Sequence, residues 1–257
     1  METQPIIRSR DNPLLKELRK LAQDNTAYRK SGRFWIEGDH LCRAALLKGL
    51  QPAIAITCES FVGKDQEDLI ASAAKVVILS DNLFQEISAL ESPSNMGFVM
   101  ELPMDAPIQA AESTVILDRV QDAGNVGSIL RSAAAFGFKQ IVALRGTAAL
   151  WSPKVLRSGM GAHFGLRLHE GVDVIDLDAL QIPLLVTSSH LGQWIQDLQL
   201  PFPCAWAMGH EGQGVCQELL DRSALQVRIG QPGGEESLNV AAAAAICLHA
   251  SALRAPT

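Results

Sequence analysis

The sequence predicts an α/β protein with two units, each built on a sheet whose strands alternate with helices. Short apolar runs rich in β-branched residues alternate with segments whose apolar residues have helical spacing. A stretch with two prolines and little apolar pattern, at 103–112, separates the two units. The 257 residues are 47% hydrophobic and 19% charged, which is enough to bury a core in each unit.

The first unit, residues 1–105, is predicted to begin with a helix. Asn12 is a good capping residue and Pro13 suits the first helical position. Five apolar residues follow at helical spacing: Leu14, Leu15, Leu18, Leu21 and Ala22. The remaining pattern predicts strands at 34–36, 53–57, 76–79 and 97–102, and helices at 40–47, 67–74 and 83–90.

The second unit, residues 112–257, is predicted to contain a parallel sheet covered by helices on both faces. Buried-strand patterns lie at 114–117, 140–144, 184–188, 204–208 and 225–229. Helical patterns lie at 126–136, 153–160, 216–222 and 238–253. The alternation of the two patterns is typical of parallel strands joined by crossover helices.

Composition and simple motifs exclude several classes of protein. The five cysteines are odd in number and lack CxxC spacing, and the six histidines lack metal-ligand spacing, so we expect no disulfide framework and no metal site. The glycine motifs of dinucleotide sites, P-loops and hydrolase elbows are absent. No segment is typical of a secretory signal or a membrane span, and we expect a cytoplasmic protein.

Charge is distributed unevenly along the chain. The formal net charge is −6, which argues against a nucleic-acid binder, but residues 1–50 contain ten basic and six acidic residues. That local excess is compatible both with RNA contact and with the solvated face of a helix. Charge alone leaves both interpretations open.

Three polar stretches of the second unit are candidates for a functional site. In 117–137 a strand leads into a helix, with Asn125 at the helix start, where backbone N–H groups favour an anion, and Arg131 on the face opposite the apolar stripe. In 207–214 Glu211 lies among three glycines after a strand. In 228–245 a glycine-rich loop leads through Ser237 and Asn239 into an alanine-rich helix. Each stretch alone also fits a helix cap, a tight turn or a surface arginine.

Taken together, the three stretches resemble the motifs of the SpoU (TrmH-like) RNA ribose 2′-O-methyltransferases of the SPOUT superfamily. Asn125-Val-Gly-Ser-Ile-Leu-Arg131 looks like the family's N-x-G-x-x-x-R, 209–214 like its G-x-E-G-x-G, and 237–240 like its S-L-N-V. Segment 157–162 resembles the family's R-x-S-x-G-A. Segments 9–16 and 34–38 look like the start of its substrate-binding domain, which is similar to a ribosomal-protein-type fold. The chain departs from the usual Ile-Pro-Met at Ile229-Gly230-Gln231.

The resemblance implies a fold, a cofactor, a partner and a site. The second unit would be an α/β knot, threaded as a trefoil from about Pro183 onward, that dimerises through its last helix. S-adenosylmethionine would contact five residues at the knotted loops: Thr187, Ser188, Gly209, Ile229 and Leu238. The catalytic residues would be Asn125, Arg131, Glu211, Ser237 and Asn239. The first unit would bind RNA, with ribosomal RNA favoured over transfer RNA.

The implied reaction assigns a role to each catalytic residue. Arg131 would bind the phosphate beside the target ribose, Asn125 would help to place it, and Glu211 would orient Arg131 or the loop backbone. Ser237 and Asn239 would hold the acceptor site together. Two alternatives stay open: an RNA-binding member of the same fold without turnover, and an unrelated α/β enzyme that acts on a small metabolite.

Overall fold

The computed structural model describes residues 6–61, 67–90, 92–188, 192–233 and 238–254, and the chain forms two compact units. The first unit consists of Met1–Met104 with Trp151–Phe164, and the second of Asp105–Leu150 with Gly165–Thr257. The α/β class predicted from the sequence is confirmed in both units. In the described ranges, no helix is both long and apolar enough to cross a bilayer.

The first unit contains a mixed four-stranded sheet. Its strands are β1 (Arg33–Glu37), β2 (Ile54–Cys58), β3 (Val76–Leu79) and β4 (Met96–Glu101), and its helices are α1 (Pro13–Gln23), α2 (Ala27–Ser31), α3 (Asp39–Leu47), α4 (Glu67–Ala71) and α5 (Asp81–Ile87). The strand order is β1-β4-β2-β3, with β4 antiparallel to both neighbours and β2 parallel to β3. Asn12 Oδ1 accepts a hydrogen bond from Leu14 N at 2.9 Å, which confirms the predicted cap of α1.

Residues 151–164 belong to the first unit, although the sequence division into 1–105 and 112–257 placed them in the second. The segment contains helix α7 (Pro153–Gly159). Its Trp151 ring lies 4.7 Å from the ring of Phe34 on β1, and Val155 and Leu156 are buried. Apolar packing therefore takes this segment out of the unit in which its neighbours along the chain fold.

The second unit contains a parallel seven-stranded sheet. Its strands are β5 (Thr114–Leu117), β6 (Gln140–Leu144), β7 (Arg167–Val172), β8 (Leu184–Thr187), β9 (Gln193–Trp194), β10 (Ala205–Met208) and β11 (Leu225–Arg228), and its helices are α6 (Ala123–Ala135), α8 (Gln217–Arg222) and α9 (Val240–Ala252). The strand order is β7-β6-β5-β10-β8-β11-β9, and every neighbouring pair is parallel. The trefoil threading stays a prediction.

The parallel sheet brings distant loops to one edge. Because β5, β10, β8 and β11 are parallel neighbours, the segments that follow them leave the sheet at the same, carboxyl edge. Helix α6 begins beside this edge. Val126, Ile129, Leu130 and Ala133 on α6 are fully buried, as their spacing predicts, while Arg131 is exposed. Helix α9 packs on α6, with the Phe136 and His249 rings 5.3 Å apart.

Candidate active site at the carboxyl edge of the parallel sheet

The three candidate stretches meet at the carboxyl edge through a chain of side-chain hydrogen bonds. Asn239 Nδ2 donates to Asn125 Oδ1 at 2.9 Å, and Asn125 Nδ2 donates to Glu211 Oε1 at 3.1 Å. The three residues come from the segments before α9, at the start of α6 and after β10. We call Asn125, Glu211 and Asn239 the amide–carboxylate cluster. It places three residues predicted from separate motifs in direct contact.

Glu211 is presented by a tight loop that closes on itself. His210 N donates to Gly214 O at 3.1 Å, and Gly214 N donates back to His210 O at 2.8 Å. His210 Nδ1 accepts from the backbone N of Gly212 at 3.0 Å and of Gln213 at 3.2 Å. A Cβ on Gly209 would lie 2.2 Å from the carbonyl carbon of Gly214, so only glycine allows this approach.

The Glu211 carboxylate accepts hydrogen bonds from N–H groups of the segment before Asn125. Gln121 N donates to Oε2 and Asp122 N to Oε1, both at 3.3 Å. Desolvation would raise the pKa of Glu211, but the hydrogen bonds from Asn125 and the backbone N–H groups lower it below its ordinary value. Glu211 therefore orients the loop backbone, which was one of its two predicted roles. Its recorded partners in the described ranges do not include Arg131.

Asn239 has two functions in the structure. Its Oδ1 caps α9 by accepting from Ala241 N at 2.9 Å and Ala242 N at 3.2 Å, which leaves Nδ2 for Asn125. At the other end of the cluster, Asp122 Oδ1 caps α6 by accepting from Asn125 N at 2.7 Å. The starts of α6 and α9 are therefore connected through one amide pair. Ser237, the fifth predicted catalytic residue, lies outside the described residues.

Arg131 lies apart from the amide–carboxylate cluster. It projects from the exposed face of α6, two turns into the helix, and it forms no ion pair with the part of the chain that the structure describes. The predicted contact between Asn125 and Arg131 is therefore not among the hydrogen bonds of the cluster. A guanidinium that is exposed and unpaired can bind an oxyanion with both arms of its planar fork.

The five predicted cofactor residues are grouped at the ends of neighbouring strands. Thr187 and Ser188 end β8, Gly209 follows β10, and Ile229 follows β11, so all four lie at the carboxyl edge. Leu238 precedes the Asn239 cap of α9 and is 39% exposed. The edge therefore combines backbone groups and an apolar side chain, which is the usual composition of a small-molecule site.

Three residues of this edge escaped the sequence interpretation: Asp118, Arg119 and Gln213. Asp118 is 1% exposed, and both of its oxygens accept from Arg119, at 2.7 and 3.1 Å. The hydrogen bond to Asp118 raises the pKa of Arg119 above its ordinary value. An acidic and a basic residue directly after a buried strand were the available signal. Groups of three or more residues suited to hold a metal are absent from the described ranges.

The comparisons with known proteins agree with this arrangement. Residues 112–249, more than half of the chain, match the SpoU rRNA Methylase family, and residues 12–97 match the MRM3-like substrate binding domain. The chain belongs to the SpoU rRNA methylase family. The resemblance found in the three motifs is confirmed, and the alternative of an enzyme unrelated to that family is wrong.

Relatives of the SpoU chain match it along nearly its full length. It is 31% identical over 247 residues to the 23S rRNA (guanosine(2553)-2′-O)-methyltransferase RlmP of Bacillus subtilis (strain 168), covering 95% of this chain and 97% of the relative. A solved RNA 2′-O ribose methyltransferase is 28% identical, with a TM-score of 0.79 over 97% of this chain and 98% of that one. The AdoMet-bound rRNA methyltransferase from Sinorhizobium meliloti, 24% identical, shares the fold, with a TM-score of 0.85 over 98% and 99%.

Proposed function

We propose that this SpoU-family protein transfers a methyl group from S-adenosylmethionine to a ribose 2′-hydroxyl of ribosomal RNA. The observation that carries the proposal is the hydrogen-bonded path from Asn239 through Asn125 to Glu211, which joins the family's three motifs at one edge of the sheet. Full-length similarity to a 23S rRNA methyltransferase supports ribosomal RNA as the substrate class. A ribosomal substrate is also consistent with action in the cytoplasm.

The protein's own task in this reaction is alignment. S-adenosylmethionine supplies an electrophilic methyl group on a sulfonium, and the acceptor hydroxyl must approach it in line. Holding two reactants in this geometry is worth roughly 7–11 kcal/mol of the barrier. The amide–carboxylate cluster suits that task, because its two amides and one carboxylate hold the starts of α6 and α9 and the Glu211 loop in one fixed arrangement.

The residues at the carboxyl edge fit the donor. Beside Ile229, the side-chain atoms Arg228 Nε and Gln231 Oε1 are buried without a hydrogen-bond partner in the described part of the chain. Buried polar atoms are rarely left unpaired, and a donor and an acceptor here would suit a ligand with amino, hydroxyl and carboxylate groups. Gln231 is part of the departure from the family's Ile-Pro-Met. Thr187, Ser188, Gly209, Ile229 and Leu238 would complete the site.

Arg131 is assigned to the RNA phosphate beside the target ribose. A guanidinium stays protonated in proteins, so it does not accept the proton of the hydroxyl. Its exposed position on α6 and its lack of an ionic partner in the described ranges leave both arms for phosphate oxygens. A phosphate oxygen or water takes the hydroxyl proton while Arg131 stabilises the developing charge.

The reaction is tested by transfer of labelled methyl groups from S-adenosylmethionine to ribosomal RNA isolated from cells that lack the protein. We expect transfer by the wild type and its loss in Asn125→Ala. Mapping the product should place the label on a ribose 2′-oxygen. Binding of S-adenosylmethionine and RNA without transfer would favour the alternative of a non-catalytic family member. Label on a base or on the protein would contradict the proposed reaction.

We also propose that the first unit binds the RNA backbone. The structure narrows the charge excess of residues 1–50, since Arg8, Arg33 and Arg43 are paired with carboxylates. Lys30 and Lys48 are exposed and form no ion pair with the described residues. Replacing both by Gln should lower RNA affinity and reduce the salt dependence of binding by about one ion per phosphate contact. Arg43→Gln is the matched control, and an equal loss there would contradict this assignment.

A homodimer through α9 is the expected assembly. The outer face of α9 exposes Ile246 by 39%, and Leu253, directly after the helix, by 71%. Ala242 lies on the same stripe, four residues before Ile246. An apolar stripe without a covering element favours burial against a second copy. Ile246→Glu should yield monomers in sedimentation experiments, whereas a wild type that sediments as a monomer would contradict the assembly.

A further inference from the structure

A buried carboxylate spans both ends of the loop that presents Glu211. Asp118, directly after β5, donates its backbone N–H to Met208 O at 2.8 Å, where the loop begins. Its side-chain Oδ2 accepts from Cys216 N at 2.6 Å, where the loop ends. Because Asp118 is 1% exposed, water does not compete for these contacts. One residue therefore connects the segment before Asn125 to the base of the Glu211 loop.

The neighbouring arginine reaches the tip of the same loop. Arg119 Nε and Nη2 donate to the two oxygens of Asp118, and its Nη1 donates to Gln213 Oε1 at 3.0 Å. Gln213 is two residues beyond Glu211. The Asp118–Arg119 pair thus contacts the Glu211 loop at its start, its tip and its end. A fork of this geometry needs a guanidinium, because a lysine ammonium is a point donor.

The backbone of Arg119 is held in a conformation that side chains rarely adopt. Its φ is +58°, in the left-handed region. Its N–H donates to Thr147 Oγ1 at 3.1 Å, and the Thr147 hydroxyl donates to Leu117 O at 2.8 Å. Gly146 leaves room for the arginine, since a Cβ there would lie 3.2 Å from Arg119 Cγ. Strained non-glycine residues persist where the surroundings fix them, and such residues cluster at functional sites.

We propose that Asp118 and Arg119 are positioning residues of the methyl-transfer reaction. They fix the Glu211 loop against the segment 121–125, and through it they set the hydrogen bonds of Glu211 to Asn125 and to the N–H groups of Gln121 and Asp122. The inference rests on the proposed function, because it assumes that the amide–carboxylate cluster aligns the reactants. Neither residue needs to touch substrate or donor for this role.

The test is a double-mutant cycle on kcat with Arg119→Lys and Glu211→Gln. If Arg119 acts through Glu211, Arg119→Lys should lower kcat by about 10-fold in the wild-type background, as expected for a small misplacement, and by less than about 2-fold in the Glu211→Gln background. KM for S-adenosylmethionine should stay within about 2-fold. Equal factors in both backgrounds, or an unchanged kcat in Arg119→Lys, would overturn the proposal.

Arg145→Lys is the matched control for the cycle. Arg145 forms the same two-pronged pair with Asp173, with Nη2 2.9 Å from Oδ2, but it connects the ends of β6 and β7. We expect its kcat to equal that of the wild type. A loss as large as that of Arg119→Lys would show that any broken pair in this unit lowers turnover, which also overturns the proposal.

A measurement without RNA or donor separates this inference from the proposed function. Amide hydrogen exchange of Gln121 and Asp122 reports their bonds to Glu211. It should accelerate by about 10-fold in Arg119→Lys and stay unchanged in Arg145→Lys. Faster exchange in a protein that transfers no methyl group would refute the proposed function and leave the positioning role intact. Unchanged exchange in Arg119→Lys would refute the positioning role.

Discussion

The two units use their charged side chains in different ways. In the first unit, exposed arginines are paired with carboxylates: Arg8 with Glu59 at 2.6 Å and Arg33 with Glu101 at 2.9 Å. At the carboxyl edge of the second unit, Glu211 is surrounded by amide and backbone N–H groups, and Arg131 has no ionic partner in the described ranges. Charges that are already paired add a little stability, whereas charges held by neutral groups stay available to a ligand.

The largest effect is expected where the charge has no partner. Arg131→Lys keeps the charge but loses the two-armed contact to phosphate, and hydrogen bonds to charged groups contribute about 1.5–3 kcal/mol. We therefore expect kcat/KM for RNA to fall by about 10- to 100-fold while affinity for S-adenosylmethionine is unchanged. Steady-state methyl transfer and calorimetry with the donor measure the two quantities.

Arg167→Lys is the control for this comparison, since Arg167 is also exposed but is paired with Glu112 at 2.8 Å. Its kinetics should match the wild type. Near-normal turnover in Arg131→Lys would remove Arg131 from the proposed mechanism. A fall in donor affinity to the same extent would show that Arg131 acts on the fold of the site instead of on the RNA.

A second substitution separates helix capping from the cluster. Asp caps a helix as well as Asn, so Asn239→Asp keeps the bonds to Ala241 and Ala242. It loses the donor to Asn125, whose single amide cannot donate to the introduced carboxylate without turning its oxygen toward Glu211. We expect turnover to fall by about 10-fold with unfolding free energy within about 0.5 kcal/mol of wild type. Urea titration and the transfer assay measure both.

Asn239→Ala supplies the contrast, because it removes the cap and the cluster contact together. It should lose the same turnover and also about 1 kcal/mol of stability. If Asn239→Asp turned over normally, the amide pair would serve only to join the two helices, and the cluster would not align the reactants.

Much of this edge could be predicted, because motif residues follow buried strands whose apolar runs are unmistakable. The ends of β5, β10 and β11 and the buried face of α6 follow from local periodicity, and parallel strands then bring their following loops together. The contacts within the cluster could not be predicted. That Glu211 accepts from Gln121 and Asp122, and not from Arg131, depends on the detailed path of a loop closed by Gly209 and Gly214.

Two further differences have physical causes that sequence patterns do not contain. Strand β7 has polar and partly exposed residues because it lies at the margin of the sheet, so it lacks a buried-strand pattern. Segment 151–164 has an ordinary helical pattern, but the pattern does not reveal which core it joins; packing of Trp151 on Phe34 decides that. Asp118 and Arg119 were passed over because a surface ion pair was equally compatible with their positions.

The Glu211 carboxylate predicts a pH dependence with a definite sign. Hydrogen bonds lower its folded-state pKa below the ordinary value of 4.5, so its contribution to stability is present above that value and is lost as pH falls through the folded-state pKa. The stability difference between wild type and Glu211→Gln should therefore shrink on acidification below 4.5. Urea unfolding of both proteins across this range measures it. A difference that grew in acid would show that the carboxyl is protonated in the native site.

The smallest effect is expected at a paired charge of the first unit. Arg8 and Glu59 are exposed by 62% and 39%, so water and salt screen their attraction. Arg8→Gln should cost less than about 1 kcal/mol of unfolding free energy and leave donor binding unchanged. Glu59→Gln should cost equally little in stability, but it frees Arg8 and should strengthen RNA binding at low salt. Weaker RNA binding in Glu59→Gln would show that Arg8 needs its partner to be held toward the RNA, and the simple contrast between paired and available charges would then fail in this unit.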